Sequence, residues 1–209
     1  QVKPVLVQLT SNDKELKSLA GLRINADLSL FNGNELVKDE SGELLFTQTG
    51  VSGICVMQLS RFLSNGRFHI VADLLPEYTF EFLKSYVDNC KKNFSDRSVI
   101  DSLSGILLRP ILEVCLKRLS LPLNILINDL DERSIIKLVN TFKEFRIQIS
   151  GTEGFDNAQV TSGGLKLSAL TSDFELIKSP GLYACGEDSL GTMMTNEKAY
   201  VTYGGAAQG

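Results

Sequence analysis

The sequence predicts an α+β protein: an antiparallel β-barrel-like domain that carries an inserted helical bundle. Two observations predict it. Residues 21–31, GLRINADLSLF, alternate apolar and polar positions without a break, the period of a strand with one buried face. After Pro76 the apolar residues recur at helical spacing, and after Phe145 the alternation returns. A helical block bracketed by strand blocks reads as an insertion into a β domain.

Taken in order, PVLVQL near the start is a first strand, and in GLRINADLSLF the residues Leu22, Ile24, Ala26, Leu28 and Leu30 share one face. The stretches NGN at 32–34 and DESG at 39–42 carry turn chemistry, so ELVK and ELLFT are expected as separate strands of antiparallel hairpins, followed by FHIVADLL. In TFEFLKSYVDNC the residues Phe80, Leu83, Val87 and Cys90 fall at helical spacing. So do Ile135, Leu138, Val139 and Phe142 in ERSIIKLVNTFKEF. Between them SVIDSLSGILL predicts a helix to about residue 109, and Pro110 can start another because proline is tolerated in a first turn. FRIQI, LKLSAL and GLYAC are then expected as strands. The resulting boundaries are residues 1–75 and 146–172 for the barrel-like part and 76–145 for the helical part.

A chain of 209 residues with 43% hydrophobic content is long enough for a sizeable core. Its net charge of −4 gives no clustered basic footprint for nucleic acid, so no nucleic-acid partner is expected. No apolar run is long enough to span a bilayer, and no membrane association is expected. Cys55, Cys90, Cys115 and Cys185 are far apart and His69 is the single histidine, so no metal-ligand spacing can be written. Mostly apolar neighbours make these cysteines buried reduced thiols, which points to a cytoplasmic location. The chain begins at Gln1 without a methionine, which suggests a piece of something longer.

Candidate chemistry is sparse. His69 lies on the polar side of its strand near Asp73, with no nucleophile or second base placed beside it, and reads as a strand-edge histidine. Lys3, Lys38, Lys91 and Lys92 read as solvated charges. TGVSGICV at 49–56 lacks the lysine and spacing of a phosphate-binding loop, and its glycines read as a strand bend or bulge. For TSGGL at 161–165 a tight turn and a close backbone approach to a flat or anionic ligand remain equally open.

Three stretches carry a resemblance beyond composition: LLFTQTGVSGICVMQLS at 44–60, GTEGFDNAQVTSGGL at 151–165 and SPGLYACGE at 179–187. In this order, with a helical block before the second, the chain resembles the bacterial NAD(P)/FAD-dependent oxidoreductases of the aminoacetone oxidase-like type. The resemblance implies a Rossmann-type FAD-binding domain interrupted by a barrel-like insert that itself carries a helical subdomain. Residues 173–209 would then be a C-terminal fragment of the FAD-binding domain. Thr161, Gly163 and Gly164 would return the chain to the flavin, Gly186 and Glu187 would lie under its ribityl chain, and Asp188 would open the loop that faces its pyrimidine end. The family's GxGxxG turn is absent from the sequence, so the implied partner is an N-terminal FAD-binding segment. The implied function is part of a FAD-dependent oxidoreductase acting on a small molecule, with NAD(P)H as the candidate electron donor and this stretch inactive and flavin-free alone. The alternative is a non-enzymatic barrel-plus-helix module for gating or partner binding. No catalytic triad is needed in the first case, because the cofactor carries the redox chemistry.

Overall fold

A computed structural model describes residues 2–164, 166–184 and 200–202 of the chain, the last three as backbone. The long alternating stretch forms β3 (Arg23–Asn32), which turns through Gly33 into β4 (Glu35–Phe46). Gly33 has φ +60, the left-handed region that glycine enters without a side-chain penalty. The apolar face is as expected, with Ala26, Leu28 and Leu30 buried.

The predicted turn at 39–42 does not exist. β4 continues through DESG, pairing Asp27 with Ser41 and Ala26 with Gly42. This part of the strand is largely solvated on both sides, so its polar composition, which reads as a turn, is that of an exposed ribbon. The first predicted strand is broken in two, β1 (Lys3–Val5) and β2 (Leu9–Thr10), with Leu6 between them at φ +49.

Around β3 and β4 the antiparallel sheet has the order β7-β6-β3-β4-β5-β2-β8, where β5 is Gly50–Ser52, β6 Phe68–Asp73, β7 Phe145–Gln148 and β8 Gly151–Thr152. Its two outer strands belong to one run of chain. Ile149 N–H donates to the Phe68 carbonyl (3.0 Å) and Ser150 N–H to the Thr10 carbonyl (2.8 Å). Residues 145–152 therefore clasp both ends of the sheet and close it into a barrel, which leaves few unpaired edge groups.

Between β5 and β6 lies α1 (Ile54–Ser60), which the bend reading of TGVSGICV missed. Gly53 makes the strand-to-helix corner at φ +105, and a Cβ there would lie 2.0 Å from the Glu43 carbonyl oxygen.

The helical block contains α2 (Phe80–Asn93), α3 (Val99–Leu103), α4 (Arg109–Arg118) and α5 (Glu132–Lys143). Side chains cap three of them. Thr79 accepts from Phe82 N–H, Ser98 from Asp101 N–H and Asp131 from Ser134 N–H, each satisfying an amide that has no partner inside the helix. Pro110 sits in the first turn of α4, as its missing N–H allows. The helix expected to reach residue 109 stops at Leu103, and a turn, in which the Ile106 and Leu107 N–H groups both donate to the Leu103 carbonyl, joins it to α4. Leu83, Val87, Ile111, Leu138 and Phe142 face inward and belong to the same hydrophobic cluster as Leu28, Leu30, Phe46 and Ile70 of the barrel. The core is thus continuous across residues 76 and 145.

Beyond the barrel, β9 (Val160–Ser162) pairs antiparallel with β1 on one side and with β10 (Tyr200–Thr202) on the other. Two expected strands are not regular strands. LKLSAL contains a 3-10 turn at Leu167–Ala169, and GLYAC contributes only a single bridge from Tyr183 to Glu175. Among the described residues neither run has a long neighbouring strand to pair with, so the backbone satisfies itself in turns.

Candidate functional site

Two of the sequence stretches singled out above meet in space. The turn after β4 is held by Thr47 N–H donating to the Gly50 carbonyl (2.9 Å) and by Gly50 N–H donating to Thr47 Oγ1 (3.1 Å). Gly50 has no room for a side chain, since a Cβ would lie 2.2 Å from the Leu9 carbonyl oxygen. This close seat presents Thr47 and Thr49 beside the segment joining β1 to β2, which carries Gln8. On the other side, Glu153 N–H donates to the Gln8 carbonyl (3.1 Å) and Gln159 N–H to the Leu6 carbonyl (3.2 Å), fixing the 151–159 segment against the same place.

The side chains complete the arrangement. Gln8 Nε2 donates to Thr47 Oγ1 (2.9 Å), Thr49 Oγ1 (2.6 Å) and Glu153 Oε1 (3.2 Å), and Thr49 Oγ1 donates to the same Glu153 oxygen. This network floors an open cleft of about 440 Å³ whose rim carries Gln48, Asn157 and Gln159. Met57 is the one apolar side chain in the wall. Among the described residues no cation pairs with Glu153. Of these residues the sequence reading singled out none as site candidates, because no spacing rule connects residue 8 with 47–49 and 153.

The residues that were singled out lie close by along the chain. Thr161 is two residues beyond Gln159, in the middle of β9 and paired with Pro4. It is buried, and among the described residues its Oγ1 has no hydrogen-bond partner. A buried hydroxyl without a partner is uncommon and costs free energy. Gly163 follows at φ +103, exposed, as does Gly164. Both glycines leave the backbone bare just past the buried hydroxyl. The structure thus places Thr161, Gly163 and Gly164 at one strand end. Gly186, Glu187 and Asp188 lie outside the described residues.

The other reactive side chains are elsewhere and subdued. His69 stacks on Phe31 (5.2 Å between centroids, 10° between planes), and burial, then the Arg146 charge, hold its pKa below the ordinary value. Burial raises the thiol pKa of Cys55 and Cys90 and pushes Cys115 up to about 12. Thiols shifted this way are poor nucleophiles and poor ligands. Two lysines are not free solvated charges: Lys3 Nζ donates to the carbonyls of Arg61 (2.9 Å) and Leu63, and Lys91 Nζ to that of Leu130. No helix among the described residues is long and apolar enough to cross a membrane. No group of His, Cys, Asp and Glu among them could hold a metal ion.

Residues 3–160 match the family model described as the HI0933-like protein barrel and H2TH domain. Among curated proteins, the chain is 28% identical over 196 residues to the 3-dehydro-bile acid delta(4,6)-reductase of Clostridium scindens, covering 89% of this chain and 47% of that protein. It is 31% identical over 175 residues to the ribosomal RNA dihydrouridine synthase of Escherichia coli, covering 83% and 42%. To the Haemophilus influenzae protein of the same name it is 26% identical over 176 residues, covering 84% and 42%. The chain thus spans less than half the length of these relatives.

Proposed function

The chain belongs to the HI0933-like barrel and H2TH family, and from that premise we propose that it is the substrate-facing part of a FAD-dependent oxidoreductase. Its direction is reductive: one relative is named a reductase, and the other is named for dihydrouridine, a uridine carrying two added hydrogens. NADH or NADPH would supply the electrons, and a cytoplasmic setting suits the free, buried cysteines. Residues 1–75 and 146–172 serve as the barrel-like part, 76–145 as its helical part, and 173–209 as a piece of the FAD-binding domain. An N-terminal FAD-binding segment and a small-molecule substrate are the partners.

The observation that carries this reading is the way the chain enters and leaves the barrel. β1 and β9 run side by side, Lys3 opposite Ser162, so both connections lie together and the polar cleft sits at their root. Two adjacent strands are what an insertion into another domain requires, and they put the cleft next to that domain. Thr161 fits a cofactor partner because its buried hydroxyl has no partner among the described residues, and Gly163 and Gly164 add no Cβ to obstruct a flat ring. Gly186, Glu187 and Asp188 would complete the holding set.

When bound, FAD supplies hydride transfer. This chain's residues bind and orient. Gln8, locked by three acceptors, holds one amide orientation, and Glu153 offers a carboxylate oxygen to a substrate N–H or O–H. Preorganised polar groups of this kind position a substrate without rearranging.

The test is flavin titration of the complete polypeptide. Stoichiometric FAD binding is expected, weakened in Thr161→Val and Gly163→Val while the unfolding temperature is kept. A complete polypeptide that folds and takes up no flavin would overturn the reading.

A further inference from the structure

The segment between β8 and β9 is pinned at its two ends and free between them. Glu153 N–H donates to the Gln8 carbonyl (3.1 Å) and Gln159 N–H to the Leu6 carbonyl (3.2 Å). Among the described residues the backbone of 154–158 bonds only to itself, through Ala158 N–H to the Phe155 carbonyl (3.2 Å). Gly154 opens this stretch at φ +85 with no heavy atom within 4 Å of where a Cβ would stand, so nothing packed resists its rotation. The far anchor hangs from Leu6, a non-glycine residue held at φ +49, and strained backbone of this kind collects at parts that switch. Few contacts and a solvated backbone place such a segment at the low-stability end of a fold.

This strap is already one wall of the cleft, through Asn157 and Gln159, and Met57 of α1 stands in another. Each wall has a large apolar side chain left in water. Phe155 on the strap is 48% exposed, and Ile54, one helical turn before Met57 on the same side of α1, is 78% exposed. A single exposed apolar residue is ordinary, whereas two flanking one polar opening form a pair that a small movement can bury. We propose that residues 154–158 are a lid, which pivots at Gly154 and closes over the cleft by seating Phe155 against Ile54 and Met57. A cleft of about 440 Å³ is roughly 8 Å across, and the chain two residues past an anchor reaches about 7 Å before the ring adds its own length. Closing removes apolar surface from water and orders the strap, so the two forms differ little in free energy and the closed one is a minor state of the unliganded protein. Gly154 directly follows Glu153, whose carboxylate is part of the cleft floor, so a ligand held there sits at the pivot and enlarges the closed population. Closure would then shut water out of the cleft.

The experiment is NMR relaxation dispersion on the complete polypeptide as purified, labelled with ¹⁵N and at isoleucine and methionine methyls, with no flavin or substrate added. Microsecond-to-millisecond exchange is expected at the Gly154, Phe155 and Asp156 amides and at the Ile54 and Met57 methyls, all fitted by one rate, while the Glu153 and Gln159 amides stay flat. Phe155→Ala is expected to cut the exchange contribution at those two methyls by roughly threefold or more, because the closed form loses its apolar contact. Phe155→Tyr keeps the ring and is expected to retain the exchange. Both variants should unfold at the parent's temperature, since residue 155 is half exposed when the lid is open. A loop that is only mobile would show exchange at the strap amides alone. Flat methyls, separate rates for strap and methyls, or methyl exchange that survives Phe155→Ala each overturns the proposal. The motion is read without flavin, so its absence leaves FAD binding by the complete polypeptide untouched, and a failure of FAD binding leaves the lid untouched.

Discussion

The seam between barrel and helices and the cleft beside β1 and β9 are both rich in polar side chains, and they use them in opposite ways. At the seam, Arg118 from α4 reaches Asp13 (2.5 Å), Glu15 (3.1 Å) and the Arg146 carbonyl (2.7 Å) while its guanidinium lies 3.9 Å from the Phe145 ring centre. Lys143 similarly joins Asp73 (2.5 Å) and the carbonyls of Leu75 (3.1 Å) and Tyr78 (2.7 Å). Every one of these charges is answered within the protein. In the cleft, no cation among the described residues pairs with Glu153, and the rim carboxamides face solvent. Polar groups that satisfy one another hold a fold in register, whereas polar groups with unspent capacity are available to a ligand. The seam is a joint, whereas the cleft keeps hydrogen-bonding capacity unspent.

If that division is right, the largest loss of stability follows truncation at the seam. Phe145 is fully buried, meets Phe46 edge-on at 6.3 Å, and lies beneath Arg118. Phe145→Ala is expected to cost about 3–5 kcal/mol. Because the core runs through both parts, barrel and helices should unfold in one denaturant transition. Two separated transitions, or a cost below about 1 kcal/mol, would show that the seam joins independent bodies.

The next largest effect tests the cleft's backbone. Gly53→Ala forces a Cβ to 2.0 Å from the Glu43 carbonyl at a φ of +105. The left-handed conformation costs roughly 1–2 kcal/mol, and displacing packed backbone adds about 1–3 kcal/mol. Urea unfolding of the variant measures the sum. An unchanged midpoint would mean that the strand-to-helix corner relaxes freely and that the cleft's support is soft.

This contrast also explains what the sequence disclosed. The buried halves of β3, α2 and α5 were legible because one apolar face per element leaves a period, and Leu28, Leu83 and Leu138 fell on the expected sides. α1 was hidden because seven residues hold barely two turns and Gly53 resembles a strand bend. The middle of β4 was hidden because an exposed ribbon has no apolar face. The cleft had no local signature at all. Gln8 meets Thr49 and Glu153 only because residues 145–152 close the barrel, a long-range fact that no window of sequence contains.

Substituting the cleft's side chains should leave stability almost untouched. Thr49→Ala removes, and Glu153→Gln weakens, hydrogen bonds of exposed or half-exposed groups, and water replaces what is lost. Each is expected to change the free energy of unfolding by less than about 0.5 kcal/mol, with the loss appearing in ligand binding. A variant that unfolds as easily as Phe145→Ala would make the cleft a second joint, and the comparison would collapse.

The smallest effect lies outside both regions and serves as their control. His69 sits on β6 opposite Gln148, stacked on Phe31, with burial and the Arg146 charge disfavouring its imidazolium. Its folded pKa is therefore below the unfolded value of about 6.5. Above that pH both states carry neutral imidazole and His69 contributes nothing to pH dependence. As the pH falls through about 6.5, the unfolded chain takes up a proton that the folded one resists, so stability declines until the folded pKa is passed and then levels. Carboxylates titrate over an adjacent range, and the difference between the parent and His69→Gln isolates the histidine. Urea midpoints across this window should show the parent losing stability relative to the variant on acidification. The loss should be small, because the ring is substantially solvated and the field it feels is screened. A parent that gains stability relative to His69→Gln as pH falls would require an anion facing the ring, which the neighbouring Arg146 argues against.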